Sequence, residues 1–137
     1  MTTESISIAG ISEVAIANYF ITINQEKFAE TASLFAEDGE MLAPFKEPII
    51  GREKIASYLE KEATGMKLLP VQGICETEDE VERFKVLGKV RTSMFSVNVA
   101  WYFTLNPQRQ LTSARIKLLA SPQELLSLQN QRDSSSE

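Results

Sequence analysis

Few side chains in this 137-residue sequence are suited to catalysis or metal binding. It contains one cysteine, Cys75, and no histidine, which excludes an internal disulfide, a Cys/His zinc site and the histidine-dependent catalytic triads. Cys75 stands beside Glu76, Glu78, Asp79 and Glu80, and this negative charge should raise the pKa of the thiol and slow its oxidation. A lone cysteine is most often an inert small residue. The alternative is an intermolecular disulfide through Cys75 under oxidising conditions.

Two polar side chains are expected on the inner face of a β-sheet predicted for the second half of the chain. Three segments alternate apolar with polar residues, as half-buried antiparallel strands do: 81–92, 97–105 and 111–119. This alternation places Thr92 and Trp101 inward among apolar neighbours, namely Phe84, Val86, Val90, Val97, Val99, Phe103, Ala114, Ile116 and Leu118. The predicted face carries no charged residue. It is typical of a pocket for a long apolar ligand with a polar end, but an ordinary apolar core fits the same residues.

Helical elements are predicted before this sheet, at residues 12–24, 27–36 and 51–62, from the spacing of their apolar residues. The first of them carries Tyr19, which could add a phenol to the inner wall. Asp38-Gly39 is expected to end the second helix with a turn, and the two prolines within 43–48 make that segment irregular. A capping box at Ser121-Pro122-Gln123-Glu124 predicts a short last helix.

This order of elements predicts the α+β class, because a run of helices is followed by a run of strands. Helices that cover the open side of a strongly curved antiparallel sheet form a cone with an internal cavity, the nuclear-transport-factor-2-like (NTF2-like) architecture. We expect residues 1–10 to be flexible, residues 11–129 to form one domain, and residues 130–137 to be a disordered tail.

Composition narrows the function further. The net charge of -5 argues against nucleic-acid binding, which requires basic surfaces. The chain has no apolar run of about 18 residues, the length expected of a membrane-spanning helix. Its first ten residues, MTTESISIAG, lack the pattern of a signal peptide. The sequence therefore predicts a cytoplasmic location.

Seven short segments between about residue 11 and residue 128 match one known family in order. They are Asn18-Tyr19, Pro44-Phe45 with Pro48-Ile49-Ile50-Gly51, Lys67-Leu68-Leu69-Pro70, Gly88-Lys89-Val90-Arg91-Thr92, Asn98-Val99-Ala100-Trp101, Leu105-Asn106-Pro107, and Leu118-Leu119-Ala120-Ser121-Pro122-Gln123-Glu124-Leu125-Leu126. In this combination the chain resembles the C-terminal domain of the cyanobacterial orange carotenoid protein family, and more closely the free-standing homologues of that domain. It departs from the family where Met94 replaces an aromatic residue and where residues 93–97 form a shorter stretch.

The resemblance implies that the cavity grips one ring of a ketocarotenoid of the echinenone or canthaxanthin type, without a metal. Tyr19 and Trp101 would donate hydrogen bonds to the keto oxygen of that ring. The remaining ring contacts would fall on Leu69, Thr92, Ile116 and Leu118. The implied function is that of a carotenoid carrier and singlet-oxygen quencher in photoprotection.

The resemblance also implies partners. A carotenoid is about twice as long as such a cavity, so we expect a homodimer that shares one pigment. Related helical carotenoid-binding proteins would donate or accept the pigment, and transient contact with membranes is implied as well. Glu62 occupies the position at which the family salt-bridges a second domain, and here it either faces a partner protein or ends its helix in solvent.

Two other functions remain open on the same fold. An NTF2-like isomerase or dehydratase would need an aspartate or histidine inside the cone as general base, and the predicted inner face has neither. A protein-interaction module would have a filled core and no pigment. We therefore predict a pigment-binding protein and not an enzyme.

Overall fold

The computed structural model describes residues 7–79 and 81–119, without the side chain of Glu78. Within these residues the elements follow in the order α1 (Val14–Asn24), α2 (Phe28–Ser33), β1 (Phe35–Leu42), β2 (Ile49–Ile50), α3 (Arg52–Glu62), β3 (Lys67–Glu78), β4 (Val81–Arg91), β5 (Ser96–Leu105) and β6 (Leu111–Leu118). The predicted α+β class is confirmed. The predicted last helix lies outside the described residues.

The first and third helices have different residues at their N-terminal caps. The Glu13 carboxylate caps α1, where its Oε2 accepts a hydrogen bond from the Ala15 amide at 3.2 Å. Gly51 precedes α3 with a φ of +98°, a backbone conformation that glycine adopts without the steric cost of a side chain. Both helices end where the sequence predicts, at Asn24 and Glu62.

The second helix is shorter than predicted, and the turn predicted at Asp38-Gly39 was wrong. Both residues lie inside β1, which already begins at Phe35. The pairing of β1 with β6 shifts between Phe35 and Glu40, which identifies an irregularity of the strand. A Cβ on Gly39 would come within 2.8 Å of the Leu111 carbonyl oxygen, so the glycine permits a close approach of two strands and not a turn.

The six described strands form one sheet in the order β2-β1-β6-β5-β4-β3. All its pairs are antiparallel except β1 with β6, which is parallel, so the expectation of a purely antiparallel sheet needs this correction. Register irregularities in β1, β3 and β5 bend the strands. Across the middle of the sheet, Trp101 stands opposite Val86 on one side and Ile116 on the other. The inward alternation predicted for these strands is therefore present.

The N-terminal segment is more ordered than expected at its end. Ile8 is buried, and Ala9 forms a bridge beside Gln72 of β3. The Ala9 amide donates to the Val71 carbonyl at 3.2 Å, and the Gly73 amide donates to the Ala9 carbonyl at 2.8 Å. Part of the segment predicted to be flexible therefore packs on the domain, since Ile8 is buried and Ala9 pairs with the edge strand.

Candidate functional site: an apolar cavity

A cavity of about 340 Å³ lies between the sheet and helices α1 and α3. Most of its wall is apolar. Lining residues come from every described helix and strand except α2 and β2, and from the loops beside them. Its lining consists of Tyr19, Ile23, Met41, Ala43, Pro44, Tyr58, Leu59, Glu62, Ala63, Met66, Leu68, Val90, Thr92, Phe95, Val97, Val99, Trp101, Ile116 and Leu118. The size and the small number of polar groups are those of a small-molecule pocket.

Two hydrogen-bond donors, Tyr19 and Trp101, lie at the deep end of the cavity. Each residue is only 1% exposed. Neither the Tyr19 hydroxyl nor the Trp101 indole N–H has a hydrogen-bond partner among the described residues. Among the described residues, every fully buried polar side-chain atom has a hydrogen-bond partner. Because the Tyr19 hydroxyl and the Trp101 N–H have none, these two groups are not sealed off and keep access to the cavity.

Aromatic packing holds these two donors in place. The Tyr19 ring meets Phe20 and Phe103 edge to face, with centroids 5.3 Å and 4.8 Å apart. Phe20 meets the Trp101 ring in the same way at 4.7 Å. Edge-to-face pairs at these separations are favourable beyond their buried area. The same two rings therefore belong to the core and line the cavity.

The Tyr19 hydroxyl is held in its neutral, donating form. Burial raises the pKa of Tyr19 well above its usual range, and the neighbouring Tyr58 hydroxyl adds to the effect. The pKa of Tyr58 is also raised, first by burial and then by the negative charge of Glu62. A phenol that stays protonated across the physiological range is suited to donate to a carbonyl oxygen.

The mouth of the cavity lies where its lining becomes exposed, at Phe95 and Leu118. The turn that carries Phe95 is fixed by Thr92, whose Oγ1 accepts from the amides of Met94 and Phe95 at 3.2 Å and 3.1 Å. The same hydroxyl donates to the Phe95 carbonyl at 3.2 Å. Thr92 thus lines the cavity, but its hydroxyl is engaged in forming the rim.

Five of the six residues to which the resemblance assigns ligand contacts meet in this cavity: Tyr19, Thr92, Trp101, Ile116 and Leu118. Leu69 does not. It pairs with the exposed Lys89 and points to the outer face of the sheet, where 38% of it is exposed. Its neighbour Leu68, opposite Val90 and 5% exposed, lines the wall instead. The difference follows from the strand period of two, since adjacent residues face opposite sides.

Sequence reasoning missed Tyr58, Leu68 and Glu62 as cavity residues. Tyr58 shares the helix face of Ile55 and Leu59, which gave a signal for burial but none for contact with a ligand. Glu62 lies at the end of α3 with an exposed side chain at the cavity rim. The inner faces of the strands carry no acid, but this helix brings one carboxylate to the mouth.

Cys75 lies away from the cavity. It is exposed on β3, the edge strand, opposite Phe84 of β4. It is seven positions along the strand from Leu68, roughly 20 Å in an extended chain. Partial burial raises the pKa of the Cys75 thiol, and the carboxylates of Glu82 and Glu76 raise it further. Because of its distance from Leu68, Cys75 does not line the cavity.

Comparison with solved structures first establishes the class of fold. An NTF2-like protein with a cystatin-like fold from Novosphingobium aromaticivorans matches 78% of this chain and 79% of its own, with a TM-score of 0.65 at 19% identity. An epoxide hydrolase/cyclase-like enzyme of salinomycin pyran-ring formation matches 77% of this chain and 88% of its own, with a TM-score of 0.63 at 17% identity. At such identities the likeness shows the fold alone. The chain has an NTF2-like α+β fold.

Two curated relatives match this sequence over most of its length. The chain is 40% identical over 128 residues to the orange carotenoid-binding protein of Limnospira maxima, and 38% identical over 126 residues to that of Synechocystis sp. strain PCC 6803. These matches cover 90% and 88% of this chain but 40% of either relative. The chain is thus a homologue of the C-terminal domain of orange carotenoid-binding proteins, and it spans about 40% of their length. No family model matches the sequence.

A solved structure agrees with this assignment. The solved structure of the orange carotenoid protein of Anabaena (Nostoc) sp. PCC 7120 shows that protein binding canthaxanthin. It is 38% identical to this chain and superposes on it with a TM-score of 0.82. The match covers 90% of this chain and 41% of that protein. The named activity of these relatives is carotenoid binding and not catalysis.

Two other features are absent from the described residues. None of their helices is both long and apolar enough to cross a bilayer. Likewise, residues 7–79 and 81–119 contain no group of three or more Cys, Asp or Glu side chains arranged to hold a metal ion.

Proposed function

We propose that this protein binds a ketocarotenoid through one terminal ring, which enters the apolar cavity with its carbonyl oxygen at Tyr19 and Trp101. The observation that carries the proposal is a pair of donors that lack a hydrogen-bond partner among the described residues and face a mostly apolar cavity. Once an apolar ligand has displaced water from the cavity, each donor left without an acceptor would cost about 1–3 kcal/mol. A ketone oxygen has two lone pairs and can accept from both groups at once.

The homology supports the same ligand class, because a homologous protein binds canthaxanthin. Hydrogen bonds to the keto oxygen withdraw electron density along the polyene and shift its absorption to the red. The test is expression together with a ketocarotenoid pathway. We expect a coloured protein with a red-shifted spectrum, and a colourless protein would instead favour a module that binds proteins.

A cavity-filling variant sharpens this test. Ala43 lies in the wall with 7% exposure, and Ala43→Leu should reduce pigment uptake because it takes up ligand space. Ala29 is exposed on α2, away from the cavity, so Ala29→Leu is the matched control. Thermal melting of both variants without pigment separates a blocked cavity from a failure to fold. Equal uptake by both folded variants would contradict a ligand site in this cavity.

The mouth of the cavity supports a homodimer that shares one pigment. Phe95 and Leu118 expose apolar surface there, 59% and 45% of each residue. A pigment longer than the cavity would extend past them into water, and a second copy placed mouth to mouth would cover it. Light scattering of the coloured species should give the mass of two chains, and its absorption should give one pigment for every two chains. A coloured monomer at micromolar concentration would contradict this arrangement.

The carrier and quencher roles follow from the same proposal. A pigment held by one ring in an open-mouthed cavity can leave toward a related carotenoid-binding protein without unfolding of its holder. Mixing the coloured protein with a colourless helical homologue should move the pigment, seen as a change in absorption. Singlet-oxygen phosphorescence should decay faster with the coloured protein than with the pigment-free protein. A pigment that stays bound in the presence of an acceptor would contradict the carrier role.

A further inference from the structure

One side chain at the end of α1 holds both backbone groups of a cavity residue. Asn24 Nδ2 donates to the Leu68 carbonyl at 2.9 Å, and the Leu68 amide donates to Asn24 Oδ1 at 2.7 Å. Leu68 belongs to β3, which among the described strands pairs with β4 alone, and the bridge of Ala9 to this strand lies further along it, at Gln72. The carboxamide thus supplies the donor and the acceptor that a neighbouring strand would supply, and it satisfies an otherwise unpaired sheet edge.

Two further contacts join the same regions. Lys67 Nζ donates to the Asn24 carbonyl at 2.9 Å, and the Gly65 amide donates to Glu26 Oε2 at 2.8 Å. These contacts are exposed and therefore contribute less than the paired bonds of the Asn24 side chain, which are partly buried. Together they fasten the C-terminal end of α1 to the start of β3.

We propose that Asn24 is a positioning residue of the cavity, because its carboxamide fixes the wall at Leu68 relative to the helix that carries Tyr19. The inference rests on the proposed pigment site. Tyr19 and Ile23 line the cavity from α1, and Leu68 lines it from the edge strand. Without the carboxamide, the Leu68 amide and carbonyl lose these partners, and only the exposed contacts of Lys67 and Gly65 described above still join the start of β3 to α1. The ring would then sit less firmly against the donors, whose hydrogen bonds weaken steeply with poor distance and angle.

The experiment compares Asn24→Ala with Asn106→Ala, both expressed with a ketocarotenoid pathway. Asn106 makes a like pair of bonds, with Gln110, in the turn between β5 and β6: Nδ2 donates to Gln110 Oε1 at 3.2 Å, and the Gln110 amide donates to Oδ1 at 2.9 Å. It does not line the cavity. We expect Asn24→Ala to weaken pigment affinity roughly tenfold, a change equal to the loss of one or two hydrogen bonds to the pigment. The absorption of the bound pigment should also shift toward the blue. Asn106→Ala should change neither property.

Asn24→Asp provides a second arm that does not depend on the alanine variant folding. Its carboxylate accepts from the Leu68 amide but repels the Leu68 carbonyl, and only the protonated acid can donate to that carbonyl. Lys67 and Glu26 are the nearby charged groups. As the pH falls through about 4, the pigment spectrum of this variant should approach that of the wild type at the same pH. A wild-type spectrum for Asn24→Asp at pH 7 would overturn the inference.

The outcomes separate the two proposals. A colourless wild-type protein refutes the pigment site itself. A coloured wild type, with Asn24→Ala and Asn106→Ala equal in pigment affinity and spectrum, refutes the positioning role and leaves the site intact.

Discussion

Removal of the Tyr19 hydroxyl tests the pigment site most cleanly. Tyr19→Phe deletes one oxygen atom and keeps the ring, so the edge-to-face contacts with Phe20 and Phe103 remain. The deleted hydroxyl has no hydrogen-bond partner among the described residues. The free energy of unfolding of the pigment-free protein should therefore change by less than about 1 kcal/mol. The variant thus separates ligand binding from folding.

The effect on pigment binding should be larger. One lost hydrogen bond to a buried carbonyl costs about 1–1.5 kcal/mol, equivalent to roughly a tenfold rise in Kd. Trp101→Phe should cost at least as much, because it also removes part of the ring that packs against Phe20 at 4.7 Å. If both donors share one oxygen atom, the two losses should be coupled and not strictly additive.

The assay is a double-mutant cycle of absorption maximum and pigment affinity for the wild type, both single variants and the double variant. We expect a blue shift in each single variant, a larger one in the double variant, and retained pigment in Tyr19→Phe. Trp101→Phe needs a thermal melt as control, since its smaller side chain leaves space in the core. Unchanged spectra in all three variants would refute the hydrogen bonds to Tyr19 and Trp101.

The cavity wall, the exposed thiol and the Tyr19 hydroxyl each allow a further test. Leu68→Ala should lower stability by about 2–5 kcal/mol and weaken pigment binding, whereas Leu69→Ala, on the outer face, should change stability by about 1 kcal/mol or less; thermal melts and pigment titration compare them. Oxidation should leave the pigment spectrum unchanged whether or not it links Cys75 between copies, because Cys75 is far from the cavity; non-reducing gels show whether the link forms, and absorption of the same samples checks the spectrum. The spectrum should stay constant on titration through pH 10, where exposed tyrosines ionise, because the raised pKa keeps Tyr19 protonated until a higher pH; loss of the red shift near pH 10 would contradict it.

The sequence predicted the inner face of the sheet well and its first strand poorly. Alternation in β4, β5 and β6 identified Trp101 and its apolar neighbours, because a half-buried strand leaves a period of two in its sequence. The pattern failed at Phe35, which continues the helical spacing of Phe28 and Ala32 but belongs to β1. Its burial against Tyr19 and the rest of the core decides its structure, and spacing along the chain does not reveal that contact.

The choice between Leu68 and Leu69 shows a second limit. Two adjacent leucines satisfy either phase of a strand, and Pro70 with the irregularity between Pro70 and Gln72 interrupts the alternation that would settle it. The pairing of Leu68 with Val90 and its bonds to Asn24 settle the phase in space. Asn24 carries no local sign of this role, because its partner is 44 residues away in the sequence.

The proposed site is built from core residues and not from a separate motif. Phe20 is fully buried and touches the rings of both Tyr19 and Trp101, which come from different elements of the fold. The packing that stabilises the domain therefore also sets the relative orientation of the two donors. This explains why composition and periodicity lead only to an apolar interior: the same rings fill the core, and their use as donors depends on where two polar atoms emerge. In such a site, a substitution of Phe20 should disturb both donors together, although its side chain has no polar atom.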